Sequence, residues 1–268
     1  MTKKMYKENI KILVLGNFGC LGHVVEQYFK RQTTHTLLGL NRKHFNAEDP
    51  LTLLPFITKF QPDYIINCVG VLMNCKDISR YAKVNVFFPK YLDFISEEFK
   101  FKLIHISTNC VFKGLGPHTI GDKPDAVDLY GVSKAFGEID NDRNLTIRTS
   151  IIGPEIKENP QGLMQWFLNN NDKNITGYAN AFWNGVTTLQ LTKFIEECLN
   201  NETGIVNYHT ADPISKLKLL KLINMIYYLD KNIISTYKEG VHSSLLTGTY
   251  TTNNYETQIR ELKGWYKQ

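Results

Sequence analysis

Short apolar runs alternate along the chain with stretches whose apolar residues recur every three or four positions. Ile10 to Leu15, Thr36 to Leu40, Tyr64 to Val69, Lys102 to Ile106 and Leu145 to Ile152 read as strands buried on both faces, because they carry near-continuous apolar side chains rather than an in/out alternation. Between them, Leu21, Val24, Val25, Tyr28 and Phe29 form one helical stripe. Val84, Phe87, Phe88, Tyr91, Leu92 and Ile95 form another, which Pro89 is expected to break in its middle. Strand and helix in alternation predict an α/β fold, a Rossmann-type doubly wound parallel sheet, with ligands at the carboxyl ends of the strands. Beyond Gly153 the pattern loosens around Pro154, Pro160 and the Asn-rich 169–174. Gln190 to Leu199 and Ile214 to Leu229 then read as further helices. The division expected is 1–152 for a dinucleotide-binding domain and 153–268 for a smaller C-terminal substrate-binding lobe, interleaved with the last strands.

Composition narrows the function. The chain has 268 residues, 43% of them hydrophobic and 21% charged, ordinary for a globular enzyme, so disorder is not expected. Its formal net charge of +5 comes without a basic stripe, which argues against nucleic acid and suits a small anionic ligand. Five cysteines at Cys20, Cys68, Cys75, Cys110 and Cys198 form neither a CxxC pair nor a disulfide framework, and no cluster suggests a metal. The basic N-terminus lacks a signal-peptide apolar core, and no run approaches the roughly 20 apolar residues that span a bilayer. A cytoplasmic protein without a membrane segment is the expectation.

The chemistry begins at the first strand's end. Leu15-Gly16-Asn17-Phe18-Gly19-Cys20-Leu21-Gly22 is GxxGxxG between a strand and a helix. Glycines there permit a tight turn and close approach of backbone to pyrophosphate, which the helix N-terminus then attracts; a purely structural turn is the alternative. After the second strand comes Asn41-Arg42-Lys43, with no acid for a ribose 2′-hydroxyl. Arg42, with Lys43 beside it, can pair with the 2′-phosphate of NADP or be a solvated loop charge. Tyr130-Gly131-Val132-Ser133-Lys134 is YxxxK, whose i, i+4 spacing sets both side chains on one helix face. A nearby ammonium is expected to lower the phenol pKa towards the working range.

These motifs occur in the order found in extended short-chain dehydrogenase/reductases: GxxGxxG, Asn67-Cys68-Val69-Gly70, Ser107-Thr108-x-x-Val111-Phe112, Tyr130 to Glu138, and Ile147-Arg148-Thr149-Ser150. With Gly204 to His209 and Pro213-Ile214-Ser215, the chain most resembles the dTDP-4-dehydrorhamnose reductase group. The resemblance implies an NADP(H)-dependent reductase of a nucleotide-linked 4-keto-6-deoxy-hexose. It implies cofactor contacts at Gly16, Phe18, Gly19, Cys20, Leu21, Gly22, Asn41, Arg42, Lys43, Cys68, Val69 and Gly70. It also implies a triad in which Thr108 bonds the substrate oxygen, Tyr130 transfers the proton, and Lys134 tunes Tyr130 and holds the nicotinamide ribose. Substrate contacts fall at Met73, Asn74, Asn109, Asn180, Trp183 and Asn184, and a homodimer is possible.

Two departures refine this. Dehydratases of the superfamily carry Thr-Asp-Glu where this chain has Thr108-Asn109-Cys110, so elimination of water is not expected. Cys110 stands where GDP-L-fucose synthase and the UDP-rhamnose epimerase-reductases hold an acid/base thiol, so C3 epimerisation before reduction is one reading and a packed core cysteine the other. The basic partner such enzymes use is absent from Gly162 to Trp166, leaving Lys157 as the nearest candidate. A catalytically silent NADP-binding subunit and an NAD-dependent sugar-nucleotide epimerase remain as alternatives. His209 reads as a satisfied core histidine.

Overall fold

A computed structural model describes residues 9–73, 75–114, 116–158, 160–199, 202–240 and 244–267. Five strands, β1 (Lys11–Leu15), β2 (Thr36–Leu40), β3 (Tyr64–Asn67), β4 (Lys102–Ile106) and β5 (Leu145–Arg148), are joined by two later ones, Gly204–Thr210 and Tyr250–Thr252. All seven pair in parallel, in the order β2-β1-β3-β4-β5, then 204–210, then 250–252. The fold is therefore α/β around a parallel seven-stranded sheet. The chain leaves β1 towards β2 on one side and returns to β3 on the other, so a crevice opens between β1 and β3 at their carboxyl ends.

Both faces are covered, which is why these strands are apolar throughout. Ile12, Val14, Ile66 and Ile104 pack with α1 (Gly22–Gln32), while Leu13, Leu15, Ile65 and Leu103 pack beneath α2 (Leu54–Phe60) and α3 (Phe88–Ser96). Helix α4 (Leu129–Gly137) follows β4. The second half of the chain adds α5 (Leu163–Asn169), α6 (Thr188–Cys198), α7 (Lys216–Tyr227) and α8 (Tyr255–Trp265). Met164, Phe167, Leu219, Ile223, Ile259 and Leu262 form a second core with Val24 of α1, while most of the buried face of α6 packs on the sheet. Short strands pair there outside the main sheet, including Phe182–Trp183 with Ile214–Ser215. No described helix is long and apolar enough to cross a membrane.

Two local expectations need correction. Pro89 does not end the helical run: a π-helical stretch, Tyr81–Phe87, continues directly into α3, and Pro89 falls just after that junction, where the wider π turn accommodates a residue without an N–H. The run Leu145 to Ile152 is not one strand. It leaves the sheet after Arg148, and Ile151–Ile152 pairs instead with Val186–Thr187, because Thr149 O takes the N–H of Asn109 and Ser150 O that of Val186.

Candidate active site

The glycine turn is a close-packed cradle. Gly16 has φ +83, a conformation that disfavours any side chain, and donates its N–H to Leu40 O at 2.7 Å. A Cβ on Gly22 would stand 2.2 Å from Gly16 O, so the first turn of α1 can lie against the loop only with glycine there. No acidic residue occupies that first turn, and the positive end of the helix is left for an anion. Phe18 is half exposed and, with Ile156, Lys157 and Glu158, lines a cavity of about 500 Å³ beside the turn. Leu21 is buried, and the Cys20 thiol faces Gly153 O at 3.9 Å, its pKa pushed by burial up to about 12. Cys20 thus offers backbone alone to a cofactor.

Arg42 and Lys43 are exposed beyond β2, whereas Asn41 is buried and donates to Asn17 Oδ1 at 3.1 Å. Asn17 in turn donates to Glu26 at 2.8 Å, so the loop after β2 and the glycine turn are tied together by amides. Glu26, which lies against Gly39 of β2, is occupied by Asn17 and Lys30.

At the end of β3, Asn67 Oδ1 accepts from Val69 N at 3.1 Å, and Val71 N donates to Asn85 Oδ1 at 2.8 Å. Asn85 Nδ2 also reaches Val71 O and Ser133 Oγ, joining this loop to α4. Asn85 is a positioning residue that sequence reading missed. Its signal was a polar residue inside an apolar stripe. Met73 is exposed, its carbonyl held by Tyr81 Oη at 2.8 Å. Asn74 lies outside the described residues.

Thr108 N-caps the short turn Asn109–Val111, its Oγ1 accepting from Cys110 N at 3.1 Å. Asp128 caps α4 by accepting from Gly131 N at 2.9 Å. A Cβ on Gly131 would stand 2.2 Å from Cys110 O, so glycine lets α4 press against that turn. Thr108, Cys110, Tyr130 and Lys134 therefore meet at the carboxyl end of β4, with the Thr108 hydroxyl close enough to the Tyr130 phenol and the Cys110 thiol to favour the ionised form of each.

The electrostatics differ from expectation. Burial, then the neighbouring Cys110, push the Tyr130 phenol up, and only the Thr108 hydrogen bond opposes them. The Lys134 ammonium does not lower it, because Nζ turns to Ile106 O at 2.6 Å and faces His105 Nε2 at 3.4 Å. Burial brings Lys134 down to about 8. The Cys110 thiol is raised by burial, and the basic group that acts on it is Lys216 at the start of α7. Lys157, expected in that part, lies at the glycine turn instead.

Of the lobe residues, Asn184 is corrected. It is buried, with Nδ2 donating to Leu246 O at 2.7 Å and Oδ1 accepting from Leu246 N at 3.2 Å, so both ends of its amide hold the backbone. Asn180 is pinned by two bonds to the Lys238 backbone, and Trp183 gives its N–H to Ser150 Oγ at 2.7 Å, which leaves only the ring face for contact. Asn109 Nδ2 donates to Ser244 O at 2.6 Å, with Oδ1 turned to Thr108 and Cys110. His209 sits in the core between Thr210 O and Gly248 O. Among the described residues no group of three or more His, Cys, Asp or Glu could hold a metal.

The fold is shared with proteins of known structure. The chain superposes on a dTDP-4-dehydrorhamnose reductase from Clostridium acetobutylicum with TM-score 0.80 at 17% identity, covering 97% of this chain and 100% of that one. A dTDP-4-dehydrorhamnose reductase from Bacillus anthracis in complex with NADP gives 0.78 at 16%, covering 96% and 99%. The Bordetella bronchiseptica enzyme WbmG in complex with NAD and UDP gives 0.77 at 16%, covering 97% and 95%. No curated protein matches by sequence. The family model described as the RmlD substrate binding domain matches residues 10–204, most of the chain and all of the motifs around β1, β3, β4 and α4, and the protein therefore belongs to the RmlD family.

Proposed function

We propose that the protein is an NADPH-dependent 4-reductase of a nucleotide-linked 4-keto-6-deoxy-hexose, with UDP or dTDP as the nucleotide, and that it epimerises the sugar at C3 before reducing it. The observation that carries this reading is the meeting of Thr108, Tyr130 and Lys134 at the end of β4, beside a glycine turn whose helix end is free of acid. Structural relatives named as dTDP-4-dehydrorhamnose reductases, one of them in complex with NADP, support it.

The cradle fits a dinucleotide. Gly16, Phe18, Gly19, Cys20, Leu21 and Gly22 would take the pyrophosphate on backbone N–H groups, Asn41, Arg42 and Lys43 the 2′-phosphate, and Cys68, Val69 and Gly70 would line the cofactor crevice after β3. NADPH, when bound, supplies the hydride. As negative charge grows on the substrate oxygen, Thr108 donates a hydrogen bond to it and Tyr130 gives up its proton. Tyr130's raised pKa keeps the phenol protonated until then. Cys110, next to Thr108, would take the proton from the carbon beside the ketone as its thiolate, the form that Lys216 favours, and return one as the thiol. Residues 1–152 carry the cofactor in this reading, and 153–268 the sugar nucleotide.

The test is turnover of NADPH with a panel of UDP-, dTDP- and GDP-linked 4-keto sugars, by the parent and by Tyr130→Phe. At least one UDP or dTDP sugar should be reduced, and the variant should lose about 10²- to 10⁴-fold in rate while binding NADPH as before. No reduction of any sugar in the panel, or an undiminished variant, refutes the assignment.

A further inference from the structure

Lys134 is buried, and its contacts bear on how firmly it keeps its proton. Asn67 and His105 are directly paired across β3 and β4. Because Asn67 Oδ1 accepts from Val69 N, the amide nitrogen is the end that faces His105 Nδ1, at 3.2 Å. An amide nitrogen only donates, so Nδ1 is the acceptor and the imidazole hydrogen resides on Nε2. Nε2 faces Lys134 Nζ at 3.4 Å, while Nζ donates to Ile106 O at 2.6 Å. An ammonium has no lone pair for the Nε2 hydrogen, whereas a free amine has one.

We infer that His105, locked by Asn67 as the Nε2–H form, is a positioning residue that disfavours the ammonium form of Lys134 in the protein without cofactor, so that the free amine is reached within the working pH range. Lys134's role in the reaction rests on the reading above, but its protonation does not. The charge environment agrees. His105 is held neutral by burial and by Lys134 and Lys90, and Lys134 is brought down to about 8 by burial. The other groups facing Lys134 are Cys68 after β3 and Glu138 after α4, the latter already paired with Arg148. An ordinary lysine is fully protonated at neutral pH, but one near 8 exchanges its proton within the working range. Lys134 can thus both hold the ribose as a cation and return a proton to Tyr130 after each turnover.

The experiment is NMR on the cofactor-free chain, with ¹⁵N-labelled histidine to read the His105 tautomer and ¹³C-labelled lysine to follow the Lys134 Cε titration. His105 should be protonated on Nε2 alone across pH 6 to 9, and Lys134 should titrate near 8. Asn67→Asp keeps an acceptor for Val69 N but takes a proton from Nδ1, so the tautomer should flip and the Lys134 midpoint should rise by about 1 to 3. Asn67→Leu separates that flip from the added charge, because it cannot donate to Nδ1 and should also raise the midpoint. An Nδ1–H or doubly protonated His105 in the parent, a Lys134 midpoint near that of free lysine, or an unmoved midpoint in both variants overturns the inference, whatever substrate the enzyme uses.

Discussion

Replacing Glu138 by Ala would strand Arg148. Its guanidinium is 2% exposed and meets the carboxylate twice, Nε to Oε1 at 2.8 Å and NH2 to Oε2 at 2.7 Å, while Ser107 Oγ donates to the same carboxylate at 2.7 Å. The Phe112 ring, with its centroid 5.0 Å from the guanidinium carbon, excludes water from one side. Removing one partner of such a pair leaves an uncompensated buried charge and costs about 3–5 kcal/mol, against roughly 0–1 kcal/mol for a surface pair. Since a domain holds only about 5–15 kcal/mol in total, a large share of stability is at stake. Urea unfolding monitored by tryptophan fluorescence should show that loss as a lower midpoint at an unchanged slope. Glu138→Leu combined with Arg148→Met should recover much of it, because the apolar pair removes both charges together. A loss below about 1 kcal/mol in Glu138→Ala would mean that water reaches Arg148, and the buried tie between β4, β5 and α4 would be refuted.

Two further outcomes bear on the site. Arg42→Ala should remove most of a preference for NADPH over NADH, measured as the ratio of dissociation constants by fluorescence titration, since Arg42 and Lys43 are the exposed cations after β2; equal affinities in the parent would sink the 2′-phosphate assignment. In D₂O with substrate and NADP⁺, the parent should take up deuterium at C3 and Cys110→Ser should not, while still reducing a sugar supplied already epimerised. Efficient reduction by the parent with no deuterium uptake would leave Cys110 as packing alone.

The sheet and its cofactor turn were legible because their physics is local. A strand covered on both faces must be apolar throughout, as Ile12 to Leu15 are, and a helix that meets a loop at van der Waals distance must begin with glycine, as at Gly22. YxxxK was legible for the same reason, since one helical turn fixes its spacing. Partners brought from distant parts of the chain were not. The π-helical turn before Pro89 brings Asn85 to the loop after β3, the antiparallel pairing of Ile214–Ser215 with Phe182–Trp183 carries Lys216 towards Cys110, and the β3–β4 register sets His105 against Asn67 and Lys134. Periodicity says which face a residue occupies but not which group waits there. Polar side chains such as Asn184 and Lys134 took their roles from whichever buried carbonyl needed a donor, a demand that exists only once the chain is folded.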